Sequence, residues 1–311
     1  MSEALAPSSV HVRAPGKINV FFAVGGLGDD GYHEVASAYQ AVSAYEDMWA
    51  SPSDSFTIEV SGSVDVAGVP LGDRNLAIRA ARLLADRCGV DAGVHLQVRK
   101  GVPVAGGMGG GSADAAAALV ACDALWGTGL TSAQLQALGA ELGADVPFAL
   151  MGGTAIGLGR GEQLSPALAR GRFDWVIVTS GDGLSTPEIY RELDEYRADH
   201  PESFLWAGAS PQVFPPVLKA LRTGDARLLA ASASNELQIA AIRRRLELND
   251  VLQLGHDEGA LTGLVSGSGP TIAFLTEDES SAIDLQIALS AAGHTALHVH
   301  GPVPGARLLA S

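Results

Sequence analysis

A chain of 311 residues that is 47% hydrophobic and only 18% charged can bury a sizeable core, as one large domain or two ordinary ones, and its composition excludes a disordered polar chain. Its formal net charge of −15 repels nucleic-acid backbones and anionic membranes, so neither is expected as a partner; a phosphate-bearing ligand then needs backbone N–H groups, a metal ion or one placed cation. The two cysteines, Cys88 and Cys122, lack metal-ligand or disulfide spacing, and with no basic leader and no run of about 18 apolar residues a reducing cytoplasm is the expected compartment.

Residues 1–9 read as a loose tail. From His11 to Val24 apolar and polar residues alternate, so a strand is expected that bends at Pro15-Gly16, just before Lys17. Gly25 to His33 is expected as a turn-rich loop carrying Asp29-Asp30-Gly31-Tyr32-His33. Alternation predicts strands over 54–61 and 93–100, the second ending at Lys100, which reads as a surface lysine. Leu76, Ala80, Leu83 and Leu84 give Asn75 to Cys88 helical spacing. A glycine-rich loop then feeds a helix over 113–126, with Ser112 at its N-cap, and Thr131 caps another that stops at Leu142-Gly143. Asp145 has the chemistry of an N-cap, and Pro147 suits a first helical turn. A strand is expected over 153–158 and a turn at Arg160-Gly161-Glu162. Punctuation around 165–172 sets a domain boundary, giving domains 1–168 and 169–311. Beyond it come a strand from Trp175 to Thr179 and helices near 187–198, 215–222, 225–231 and 235–248. A second Gly/Ser loop leads into a strand at 271–276, followed by a helix at 278–292 and a strand at 295–300. The mixture is α+β, and no doubly wound parallel sheet is expected.

The glycine-rich loop runs Pro103, Val104, Ala105, Gly106, Gly107, Met108, Gly109, Gly110, Gly111, Ser112, Ala113. A loop so poor in side chains exposes its N–H groups, and the helix behind it adds the positive end of its dipole, so it reads as a phosphate cradle. It is not a Walker A loop, because no Lys follows Gly111. Nor is it a dinucleotide fingerprint, since counting from Gly107 the third glycine position holds Ser112. His-Arg-Asp and Asp-Phe-Gly, which accompany a protein-kinase loop, do not occur.

Three segments stand out together: Ala14-Pro-Gly-Lys-Ile-Asn19, the glycine loop, and Val265-Ser-Gly-Ser-Gly-Pro270. In this order and spacing they resemble the GHMP small-molecule kinases over essentially the whole chain. Asp30-Gly-Tyr-His-Glu34 and Gly143-Ala-Asp-Val-Pro-Phe148 resemble the branch whose acceptor is a cytidylylated sugar alcohol. The resemblance implies a two-domain α+β fold, with an N-terminal nucleotide-binding domain and a ferredoxin-like C-terminal domain. It implies ATP as co-substrate, Mg²⁺ on its phosphates, transfer to a hydroxyl in non-mevalonate isoprenoid synthesis, and a monomer or weak homodimer. The loop from Pro103 to Ala113 would bind ATP, Asp145 would be the catalytic base and Lys17 its cationic partner. Asn19, Tyr32, His33, Tyr39, Thr186 and Tyr190 would face the acceptor; no residue is assigned as a metal ligand. Two positions depart from the usual pattern: Met108 stands where Leu is common, and Ala113 where a second Ser is.

The chemistry supports these roles independently. An alcohol needs a carboxylate about 3 Å away to take its proton, and a lysine beside that carboxylate favours the ionised form and stabilises developing charge. Lysine is scarce (Lys17, Lys100 and Lys219), which sharpens the case for Lys17. Tyr32 and His33 fit stacking on, and hydrogen bonding to, a cytosine. Blander readings stay open: Tyr39 and Tyr190 as core, His298 and His300 as alternate residues of a strand, and Arg243-Arg244-Arg245 as a solvated helix face or a contact to acidic residues. A homoserine- or mevalonate-type kinase, or a nucleotide sensor without turnover, are the alternative functions.

Overall fold

In the computed structural model, which describes residues 9–309 other than 105, 181–182 and 207–208, two long strands organise the first half. β1 (Val10–Leu27) and β2 (His33–Ser53) pair antiparallel along nearly their whole length. β3 (Phe56–Gly62), α1 (Leu76–Cys88), β4 (Gly93–Lys100), α2 (Gly110–Trp126), α3 (Ser132–Leu142), α4 (Val146–Met151), β5 (Thr154–Leu158) and β6 (Gln163–Pro166) follow. The second half holds β7 (Phe173–Thr179), α5 (Thr186–Asp199), α6 (Pro215–Thr223), α7 (Ala226–Ala230), β8 (Ser234–Asn235), α8 (Gln238–Arg244) and α9 (Glu247–Asp257). It closes with β9 (Thr262–Val265), β10 (Ile272–Leu275), α10 (Glu279–Ala291), β11 (Thr295–Gly301) and β12 (Arg307–Leu308). The expected N-terminal tail and the loop residue Ala105 lie outside the described residues, apart from residue 9.

The first sheet has the order β12-β1-β2-β4-β3, with β5 and β6 added beside β2 and β8 beside β1. One face buries α2, whose Ala113, Ala115–Ala118, Leu119, Ala121 and Cys122 are fully enclosed with α1 residues Ile78, Ala81 and Leu84. The small alanine side chains let α2 lie close against both the sheet and α1. The opposite face of β1 and β2 meets the second sheet, through Ile18, Val20, Phe21, Ala36 and Ala38 against Phe173, Trp175 and Ala273. Burial on both faces removes the period of two, which is why the sequence pattern does not reveal β2. The second sheet is antiparallel throughout, in the order β11-β7-β10-β9. Numbered among themselves, these strands run 4-1-3-2, with helices after the first and third, which is the ferredoxin-like βαββαβ arrangement.

Several local expectations are corrected. His33 opens β2 and is buried, so the turn between β1 and β2 is shorter than the expected 25–33 loop. The single helix expected over 235–248 is instead the strand β8 and two helices, broken at Arg245-Leu246 where Arg245 leaves the helical region (φ −147°). Apolar residues at helical spacing on both sides of the break conceal it.

Candidate active site

β1 does not run straight. Its pairing with β2 shifts at Pro15/Gly16 and again between Asn19 and Phe21. A proline cannot donate to the ladder, and bulges of this kind re-aim the side chains beyond them. A Cβ on Gly16 would stand 3.0 Å from Val102 and 3.3 Å from the Met108 carbonyl, so glycine permits the close approach of the phosphate loop. There the Lys17 N–H donates to Met108 O at 2.9 Å, and Met108 itself is fully buried as the loop's anchor.

α2 begins three residues earlier than expected. Gly109, at φ +72°, occupies the N-cap, and Ser112 lies within the first turn. A left-handed cap is open to glycine at no steric cost, and a run of glycines lets the helix start without side chains at its mouth. The first N–H groups of α2 have no intrahelical partner and open on the cleft. That cleft, of about 410 Å³, is lined by loop residues, Val69, Pro70, Asn75, Leu76, Lys100, Asp114 and Asp145. The wall from Val69 to Leu76 was not expected from sequence; its Gly72-Asp73-Arg74-Asn75 turn is unremarkable as a pattern.

The three sequence segments meet. Asn19 N donates to Ser266 Oγ at 3.1 Å, and Thr271 Oγ1 donates to Gly106 O. Asn235 Nδ2 donates to both Val265 O and Gly267 O, each at 2.7 Å, and so fixes the second Gly/Ser loop. Thr186 joins that loop through Ser268, hydroxyl to hydroxyl at 2.9 Å.

Lys17 and Asp145 face each other, Nζ to Oδ2 at 3.9 Å. Lys17 Nζ also donates to Asn19 Oδ1 at 3.0 Å, while Asn19 Nδ2 donates to Ser37 Oγ at 2.8 Å, a chain that fixes the amide and hence the ammonium. The ammonium stands 5.6 Å from the centre of the Tyr39 ring. Tyr39 is buried against Phe148 as part of the core beneath the Lys17 ammonium; burial, with the Asp145 charge, raises its phenol pKa. Asp145 does occupy the cap position of α4, yet its side chain makes no capping hydrogen bond and remains 38% exposed toward the cleft.

A second cleft, of about 840 Å³, is lined by Tyr32, His33, Arg160, Glu162, Gln163 and Trp206 among others. Tyr32 is 56% exposed, and the Arg160 guanidinium lies 3.7 Å over its ring while bonding Asp30 Oδ2 at 2.6 Å. His33 turns the other way. Its Nδ1 meets Gly25 O at 3.0 Å, its Nε2 meets Asp194 Oδ2 at 3.1 Å, and its ring stacks on Tyr190 at 5.2 Å. Burial raises the Tyr190 phenol pKa to about 12. Tyr32 and His33, adjacent in sequence, therefore have different ring partners, and Tyr190 belongs with His33.

Lys100 is not a surface lysine. It is 2% exposed and bridges Glu46 and Asp114 beside the loop. Arg243 and Arg244 do reach an acid, both clasping Glu192 on α5. His298 pairs with Asp174 at 2.8 Å, and among the described residues no group of three or more His, Cys, Asp or Glu is arranged to hold a metal ion.

Family models for the GHMP kinases match the chain in two places, the N-terminal domain over residues 75–153 and the C-terminal domain over 217–295. The chain is 58% identical, over 99% of both lengths, to a 4-diphosphocytidyl-2-C-methyl-D-erythritol kinase of Clavibacter michiganensis subsp. michiganensis. It is 57% identical to one of Leifsonia xyli subsp. xyli, over 97% of this chain and 99% of that one. Among solved structures, it is similar to a crystal structure of a 4-(cytidine 5'-diphospho)-2C-methyl-D-erythritol kinase, with a TM-score of 0.76 and 32% identity, covering 93% of this chain and 98% of that one.

Proposed function

We infer, since the chain belongs to the GHMP kinase family and groups there with the 4-diphosphocytidyl-2-C-methyl-D-erythritol kinases, that it transfers the γ-phosphoryl group of ATP to the 2-hydroxyl of that cytidylylated sugar alcohol. The step belongs to the non-mevalonate route to isoprenoid precursors. The observation that carries the reading is the Lys17–Asp145 pair: its carboxylate lines the same cleft as the helix N-terminus at the glycine loop.

ATP takes the first cleft, its phosphates on the N–H groups from Gly109 to Ser112 and its base toward the Val69–Leu76 wall. Donors fixed in a rigid loop need no reorganisation as charge develops, which is the main requirement of phosphoryl transfer. Asp145 accepts the proton of the attacking hydroxyl, and Lys17 stabilises the charge that forms. Asn19 holds Lys17 in place. A magnesium ion carried on the ATP phosphates would need few protein donors here, and the Asp145 carboxylate, on the wall of the phosphate cleft and without a capping bond, would meet it with the oxygen that does not take the proton. When bound, it neutralises phosphate charge.

The acceptor takes the second cleft, with its cytosine against the exposed face of Tyr32 and the His33–Tyr190 stack forming the wall behind. His33 reaches the base with a ring nitrogen only by exchanging Gly25 or Asp194 for it. Thr186, the first residue of α5 and bonded to Ser268 of the second Gly/Ser loop, faces the same substrate. A homoserine or mevalonate acceptor offers nothing to stack on these rings. The boundary between domains is proposed at 168/169, in the connection between β6 and β7; β8 and β12 return to pair with β1. ADP release, followed with the cytidylylated acceptor and with the same sugar alcohol phosphate lacking cytidine, tests the reading. Turnover with the first and very little with the second is expected; equal rates would refute recognition of the base.

A further inference from the structure

The phosphate loop leaves the sheet at Lys100, the last residue of β4, and re-enters regular structure at α2. The side chains at its two ends touch. Lys100 Nζ lies 2.6 Å from Asp114 Oδ2, on α2, and 2.7 Å from Glu46 Oε1, on β2. Glu46 Oε2 also accepts from the N–H of Gly101, the loop's first residue, at 3.1 Å. All three side chains are at least nine-tenths buried, at 0%, 2% and 4% exposure for Glu46, Lys100 and Asp114. The cluster lies directly against the cradle: a Cβ placed on Gly110 would stand 3.1 Å from Glu46 Oε1 and 3.5 Å from Lys100 Nζ.

We propose that Glu46, Lys100 and Asp114 form an ionic clasp that closes the base of the glycine loop and positions its backbone donors for the phosphates of the nucleotide. This rests on the reading of the loop as the ATP cradle. The three are positioning residues; the N–H groups touch the ligand. A glycine-rich loop has more backbone freedom to lose than any other, and a bond between its ends restricts that freedom before the ligand arrives.

The charges of the clasp set a readout that a purely structural contact would not have. One ammonium faces two carboxylates, so with all three ionised the cluster carries one surplus negative charge beneath a site for an anion. Glu46 faces Lys100 from β4, Asp114 from α2 and the Gly101 N–H. Burial, reinforced by the Asp114 charge and opposed by Lys100, pushes the Glu46 carboxyl up to about 8. Burial raises Asp114 as well, and its Oδ1 has no hydrogen-bond partner among the described residues. Loss of the Glu46 proton as pH passes about 8 adds one negative charge to the clasp.

The experiment measures KM for ATP and for the acceptor across the range around pH 8, in wild type, Glu46→Gln, Asp114→Asn and Asp114→Ala. In wild type, KM for ATP should rise as pH passes about 8, and Glu46→Gln should flatten that rise. Asp114→Ala should raise KM for ATP about 10-fold or more and that for the acceptor little, while Asp114→Asn, which can still accept from Lys100, recovers most of the loss. A folded Asp114→Ala with unchanged KM for ATP, or superimposable pH profiles for wild type and Glu46→Gln, overturns the clasp. Should Asp114→Ala not fold, the near-isosteric Glu46→Gln comparison decides alone. Wild-type protein that binds no ATP would instead overturn the cradle.

Discussion

Lys17 and Asp145 come from elements 128 residues apart in sequence and meet at 3.9 Å, close enough for an ammonium to steady the charge on a carboxylate and for one hydroxyl entering from the cleft side to contact both. Asp145→Asn should therefore lower kcat by about 10²–10⁴-fold while ATP binding, measured by calorimetry, stays nearly intact. A variant with near-normal kcat would remove Asp145 from the chemistry. The lysine and the aspartate were legible in the sequence because both lie in short motifs; what those motifs do not encode is burial. Lys100 reads as an ordinary strand-end lysine until Glu46 and Asp114, distant in sequence, enclose it. Enclosure has a thermodynamic consequence. Between the ordinary glutamate value of 4.5 and about 8, folded Glu46 holds a proton that the unfolded chain has lost, so this group's contribution to stability diminishes as pH rises through that window and is level above it. Thermal melting should show Glu46→Gln gaining on wild type as pH increases across the window. A difference in Tm independent of pH would mean that Glu46 is not protonated in the fold.

At the scale of elements, the cradle depends on glycine at one position for conformation and at the next for space. Gly109 has φ +72°, and a Cβ there would also crowd the Lys17 side chain at 3.3 Å; at Gly110 it would meet Glu46 at 3.1 Å. Gly109→Val should weaken ATP binding far more than it weakens the fold, because a β-branched residue is strained at positive φ and holds phosphate off the donors. A folded variant with unchanged nucleotide affinity would contradict the cradle. The sequence indicated a helix behind the loop but placed its start at Ser112, because serine is a strong N-cap residue and glycine a weaker one. The tertiary contact of Lys17 N with Met108 O, which no local rule contains, fixes the loop ahead of Gly109. In the same way β2 was hidden by burial on both faces, and the break at Arg245-Leu246 by apolar spacing that continues across it.

For the molecule as a whole, the strongly negative surface and the local cations form one design. With a net charge of −15, attraction of ATP and a diphosphate-bearing acceptor falls to local positive features: helix N-termini, Lys17, Arg160, and Arg74 on the wall of the first cleft. The order of the three motifs was legible from sequence, and so was the α+β class; the packing of the second sheet against β1 and β2, which joins the third motif to the first two, was not, since it arises from contacts between distant strands. Tyr32→Ala should raise KM for the cytidylylated acceptor with little change for ATP, a stacked base being worth at most about 1–3 kcal/mol. An equal effect on both substrates would show that Tyr32 serves the fold rather than the acceptor. The most direct test of the central claim is ³¹P NMR of the complete reaction, containing ATP, magnesium and the cytidylylated sugar alcohol. A new phosphomonoester on the 2-oxygen of the acceptor, formed in step with ADP and absent with Asp145→Asn, is expected. ATP consumed without that product, or a phosphomonoester formed on homoserine or mevalonate instead, would contradict it.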